Sequence, residues 1–167
     1  ATSSQAAGLV GQVRNSIERT ELAMWSVKTF SELQQDERAP AGWRQVGSLR
    51  IALTEQRVEE FSRMADVARQ AGLEVEFIEP EAARKKWPLL DFRQVQAVLW
   101  CPSDGYLQPS DLTMAYASQA RRLGVRFQTG TTVWQVIVKD GQVTGVETDK
   151  GRVECQRVVN AAGAHAY

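Results

Sequence analysis

The chain has 167 residues, 43% of them hydrophobic, with 20 Lys+Arg against 20 Asp+Glu and a formal net charge of +0. That length sustains one real core and, as a prior, about one domain, and the balanced charge argues against nucleic acid or another polyanion as partner. No apolar run is long enough to span a bilayer and no signal-peptide pattern opens the chain, so a cytoplasmic protein with no membrane partner is expected.

The opening stretch Thr2-Ser3-Ser4-Gln5-Ala6-Ala7-Gly8-Leu9 is small, polar and rich in donors. Hydroxyls and backbone N–H groups beside a glycine suit an anion such as a pyrophosphate. A frayed terminus or a helix cap has the same composition. Asn15 or Ser16 can then cap a helix running to about Gln35, with Ile17, Met24, Val27, Phe30 and Leu33 on its apolar side. Trp25 is expected in the core.

Val46 to Leu53 alternates as a strand, and Thr54 caps a second helix that stops at Gly72. Glu74 to Ile78 is a short strand. Glu79-Pro80 starts a short helix that Pro88 ends, with Arg84-Lys85-Lys86 on its solvated face. Val95 to Trp100 is the next strand, and Cys101-Pro102-Ser103-Asp104-Gly105-Tyr106 a turn. A third long helix opens at Pro109-Ser110-Asp111 with Ser110 as its cap. Leu112, Ala115 or Tyr116, and Leu123 line it, and Gly124 stops it.

Val125-Arg126-Phe127 reads as a strand. Thr131 to Val138 and Val143 to Thr148 flank Asp140-Gly141, a strong hairpin signal. Lys150-Gly151 turns into a last strand, Val153 to Asn160. The apolar pair Val158-Val159 reads as buried, and Ala161-Ala162-Gly163 then removes side-chain bulk where a ligand approaches backbone or a helix packs tightly. The order is mixed: an α/β sheet with an inserted unit rich in antiparallel strands.

Cys101 and Cys155 lack metal-ligand spacing, and His165 is the single histidine, so no Cys/His zinc site is expected. No G-x-S-x-G pattern exists to serve a hydrolase triad. Both cysteines are expected as reduced packing residues.

Taken in order, Thr2 to Leu9, Gly47-Ser48-Leu49-Arg50-Ile51-Ala52, Pro102-Ser103-Asp104-Gly105 with Pro109, Gly145 to Gly151, and Val159-Asn160-Ala161-Ala162-Gly163-Ala164 give the chain its resemblance. It resembles the FAD-dependent oxidoreductases of the D-amino-acid oxidase superfamily, on the branch of the dimethylglycine and sarcosine dehydrogenases and oxidases. The resemblance implies part of a Rossmann-like FAD-binding domain in residues 1–38 and 107–167. It implies part of a substrate-binding domain in residues 39–106. It also implies that Ser3, Ser4, Gln5, Ala6, Ala7, Gly8 and Leu9 lie along FAD, that the Val133 backbone meets the adenine, and that Ala161, Ala162 and Gly163 pack on the cofactor.

Relatives with covalent flavin carry a histidine where Gln5 stands, so the FAD is expected to be non-covalent. They commonly carry a tryptophan near position 165, where this chain has His165. The implied substrate is a small N-methyl or secondary amine of the glycine-derivative type. Arg50 is the candidate for its carboxylate, Trp100 and Tyr106 for the walls, and His165 for a position facing flavin or substrate. The electrons go on to oxygen or to an electron-acceptor protein. The catalytic residue is not legible.

The G-x-G-x-x-G loop that normally holds the pyrophosphate is missing from this sequence. The chain starts at Ala1 rather than Met, and it reads as the central fragment of a longer enzyme, inactive and able to lack FAD on its own. A non-catalytic regulatory or binding relative that keeps the fold is the competing expectation.

Overall fold

The computed structural model describes residues 5–163 and falls into two compact units, Ala1–Leu123 and Gly124–Tyr167. Each is described by itself.

The first unit is built on a three-stranded antiparallel sheet, β3 (Ser48–Ala52), β5 (Ala97–Cys101) and β4 (Glu76–Ile78), with β5 in the middle. Its register sets Ser48 opposite Cys101 and Phe77 opposite Leu99. The run Val98-Leu99-Trp100-Cys101 is apolar because both faces of β5 are covered. Leu99 and Cys101 pack with Phe61, Ala65 and Ala68 of α2 (Glu55–Gln70), while Val98 packs with Ala83 of α3 (Pro80–Lys86) and Phe92.

Helix α1 (Ile17–Gln34) starts where the Ser16 hydroxyl accepts from the Arg19 N–H at 3.4 Å. α2 starts where the Thr54 hydroxyl accepts from the Arg57 N–H at 3.3 Å. These caps satisfy amides that have no partner inside the helix. α1 buries Val27 and Leu33. Trp25 instead is 63% exposed, because the core side of the helix passes through Met24 and turns the next residue outward.

Helix α4 (Pro109–Arg122) is capped by Gln108 rather than Ser110, with no side-chain bond. Proline fits the first helical position, which moves the start one residue earlier. Ala115 is buried against Leu33 and Ala41, whereas Leu123 falls past the helix end and is exposed. A second small sheet joins three two-residue strands, β1 (Leu9–Val10), β6 (Gly105–Tyr106) and β2 (Arg44–Gln45), with β6 in the middle.

The second unit is a meander of β7 (Val133–Lys139), β8 (Gln142–Thr148) and β9 (Gly151–Glu154). The β7–β8 turn places Asp140 at φ 52° and Gly141 at φ 76°, the pair of positive angles that a two-residue hairpin matched to strand twist requires. The expected strand at residues 125–127 does not form. The expected last strand, Val153 to Asn160, is realised only in its first residues, as the end of β9, with the Cys155 N–H donating to the Thr144 carbonyl at 3.4 Å. Residues 156–163 form no strand, and Val159 is 85% exposed rather than buried. An apolar pair becomes a buried strand only where a neighbour supplies hydrogen bonds.

Candidate functional site

In the first unit, β1, β3 and β6 surround a cleft of about 510 Å³. Leu9, Leu49, Trp87, Leu90 and Tyr106 give it apolar walls, and Arg50 and Asp104 supply opposite charges. The candidates Leu9, Arg50 and Tyr106 therefore meet in one place. Tyr106 is 48% exposed at the lip, paired through its backbone with Leu9 and Arg44.

Asp104 holds the cleft together, although in sequence it stands only in a turn. Its side chain is fully buried, at 0% exposure. Oδ1 accepts from the Gln12 backbone N–H at 2.8 Å and from Gln12 Nε2 at 3.0 Å, and Oδ2 accepts from the Ser48 hydroxyl at 2.5 Å. The Asp104 carbonyl also accepts from the Val46 and Gly47 amides at 3.2 and 2.8 Å. One residue thus ties three cleft-lining segments together. The signal was the Asp-Gly pair itself, but its partners lie 92 and 56 positions away.

Arg50 is half-buried, and its Nη2 donates to the Val13 carbonyl at 3.0 Å. Its Nε is buried without a hydrogen-bond partner. Burial pushes the guanidinium below its ordinary pKa, the Asp104 charge opposes that fall, and the like charge of Arg14 adds to it. The guanidinium of Arg50 is thus anchored through Nη2 while its charge lines the cleft.

Trp100 does not line the cleft. It lies behind Gly47, whose φ is +76° and whose Cβ, if present, would sit 1.7 Å from the indole. Trp87 packs edge-on against Trp100 with centroids 5.6 Å apart, and Lys86 Nζ lies 4.3 Å above the Trp100 ring. Trp100 therefore supports the wall that Trp87 presents. The Cys101 thiol beneath is buried, and burial pushes its pKa up to about 11, with the Asp104 charge acting the same way. It stays protonated and unreactive at neutral pH.

Gln5, Ala6 and Ala7 are exposed and carry no bond to the cleft. At Gly8 the missing side chain serves the chain itself: a Cβ there would sit 2.0 Å from the Leu107 carbonyl oxygen. In the second unit, Val133, Ala161 and Ala162 line a groove of about 570 Å³ together with Trp134 and Val159. Gly163 is not part of its lining. Ser3, Ser4 and His165 lie outside the described residues. Among the described residues no group of three or more His, Cys, Asp or Glu is placed to hold a metal, and no helix is long and apolar enough to cross a membrane.

Known proteins place this arrangement. The mouse mitochondrial pyruvate dehydrogenase phosphatase regulatory subunit is 35% identical over 96% of the chain and 18% of its own length. Rat mitochondrial dimethylglycine dehydrogenase is 34% identical over 95% of the chain and 18% of its own length. The crystal structure of L-proline dehydrogenase from P. horikoshii superposes with a TM-score of 0.85 at 26% identity, covering 91% of this chain and 40% of that one. The chain thus spans about a fifth of the length of the curated relatives it matches. The pattern of the family described as FAD dependent oxidoreductase runs through residues 1–167, and with the antiparallel sheets and cleft of the first unit it settles that the chain belongs to the FAD-dependent oxidoreductases of the D-amino-acid oxidase type.

Proposed function

We propose that the protein carrying this chain oxidises an N-methyl or secondary amine of the glycine-derivative type. The observation that carries the reading is the cleft of the first unit, in which Leu9, Trp87, Leu90 and Tyr106 form an apolar wall beside Arg50. An apolar wall with one fixed cation suits a short amine that also bears a carboxylate. In this reading residues 39–106 belong to a substrate-binding domain, and residues 1–38 and 107–167 to an FAD-binding domain.

The second unit offers a fit for one end of the cofactor. Its groove combines the exposed Val133 and Trp134 with Ala161 and Ala162, whose small side chains leave backbone open to a flat ring. The phosphate-cradling glycine loop is not in this sequence, so these residues would hold the adenine side alone. Gln5 has a carboxamide, which forms no covalent flavin bond, and the FAD is held non-covalently.

When bound, FAD would supply the acceptor for a hydride from the carbon next to the amine nitrogen. The chain's own residues bind and orient. Arg50 draws the substrate carboxylate to one side of the cleft, and the apolar wall keeps water from the amine end. Asp104 keeps the three lining segments in register. The oxidised substrate leaves as an imine that water hydrolyses, and the electrons pass to oxygen or an acceptor protein.

The test is absorbance of the purified whole protein with added FAD, titrated anaerobically with dimethylglycine and related N-methyl amines. A flavin band that bleaches on substrate addition is expected. Failure to take up FAD would overturn the reading. A second reading, a regulatory module that keeps the fold, is favoured by the relative named as a regulatory subunit and by Gln5. A flavin band that no amine bleaches is the result that supports it.

A further inference from the structure

We infer that the first unit carries a separate oxyanion-binding site, in a pocket of about 710 Å³ where Arg14, Arg50 and Arg63 converge. The inference does not rest on the amine-oxidation reading.

Two guanidinium groups share one acceptor there. Arg14 Nη1 and Arg50 Nη2 each donate to the Val13 carbonyl at 3.0 Å. Both nitrogens lie within 3.9 Å of the point that a Cβ on Gly11 would occupy, and Asp104 Oδ2 lies 3.5 Å from the same point. A single carbonyl carries only a partial negative charge; Asp104 offsets Arg50 in part, and the like charge of Arg14 still opposes Arg50 across that carbonyl. Burial depresses the proton affinity of Arg50, the Asp104 charge opposes that fall, and Arg14 adds to it.

The available carboxylates are engaged elsewhere. Asp104 faces the cleft and already accepts three hydrogen bonds through its side chain. Glu60, the one carboxylate that lines the pocket, is paired with Arg57 at 2.5 Å. Arg63 has an exposed contact to Glu59 at 3.8 Å, of the kind that contributes little. Arg14, Arg50 and Arg63 therefore line the pocket beside one paired carboxylate, Glu60, with Met64 in the lining and Asp104 offsetting Arg50 from the cleft side.

Guanidinium forks match the planar oxygens of a carboxylate or phosphate and bind them by charge-assisted hydrogen bonds. The ligand is a small oxyanion of this kind, free or carried on a larger molecule. Arg50 lines both this pocket and the cleft, so occupancy of one reaches the other through a single side chain.

The experiment is calorimetric titration of the whole protein, saturated with FAD where it takes FAD up, with inorganic phosphate and separately with acetate. Chloride holds the ionic strength constant. Saturable binding of at least one of the two is expected. Arg14→Gln and Arg63→Gln should each weaken it about 10-fold, the effect of one lost charge-assisted bond. Glu60→Gln removes the opposing charge and should tighten it. Binding of neither anion, or affinity unchanged in both arginine variants, or no tightening in Glu60→Gln would each overturn the site. Protein that takes up no flavin is titrated in the same way, so failure of the enzymatic reading leaves this result readable.

Discussion

Asp104 places a carboxylate out of contact with solvent, and its partners decide what removing it costs. Asp104→Ala would strand the Gln12 amide, the Gln12 carboxamide and the Ser48 hydroxyl, and would deprive Arg50 of its opposing charge. Breaking a buried charged network from one side costs roughly 3–5 kcal/mol. A large fall in the denaturation midpoint is therefore expected, and a midpoint within experimental error of wild type would refute the network's role. Cys101 gives a prediction with a definite sign. Its thiol pKa is about 11 in the fold against a reference of 9.0. A raised thiol pKa stabilises the fold below pH 9 and loses that contribution as pH climbs toward 11. The loss is on the order of 2–3 kcal/mol. Cys101→Ser should flatten the alkaline limb of the stability curve. Thiol labelling at neutral pH should reach the half-buried Cys155 well before the buried Cys101.

Among the elements, the turn at Gly47 that leads into β3 tolerates little change. Gly47→Ala meets the Trp100 ring and also takes on a positive φ, which alone costs a residue with a Cβ about 1–2 kcal/mol. Shrinking the neighbour with Trp100→Leu should relieve the clash but leave the backbone term. Thermal unfolding of both variants separates the two contributions. The elements that were legible in the sequence share one property: their signals are local. Ser16 and Thr54 cap helices through amides three residues away, and Asp140-Gly141 fixes its hairpin alone. What was not legible depends on distant partners. Val158-Val159 has the composition of a buried strand but no paired strand among the described residues, and Trp25 differs from the core-packed Met24 only by one step around the helix. At the cleft, Leu9, expected along the cofactor, and Arg50 and Tyr106, expected at the substrate, were singled out through the family resemblance, and the fold brings the three together. Asp104 was missed because a turn aspartate looks the same in sequence whether it faces water or closes a network.

For the whole molecule, the boundary between units is the first consequence. Residues 123–130 are exposed and carry no regular structure, and such segments are where proteases cut first. Limited trypsin digestion should cleave first after Arg126, releasing the first unit as an intact band. An earlier cut within α2 or the β3–β5–β4 sheet would contradict the division. The lip of the cleft follows another logic. Its centre is β6, and Leu9 and Arg44 both wait for Tyr106 to complete their pairing. On the ribosome, β1 and β2 emerge long before the strand that joins them, and domains fold as units as they are made. The nascent chain therefore offers no finished cleft until residue 106 is out, and small molecules meet it only after the first unit's sheet has been synthesised in full.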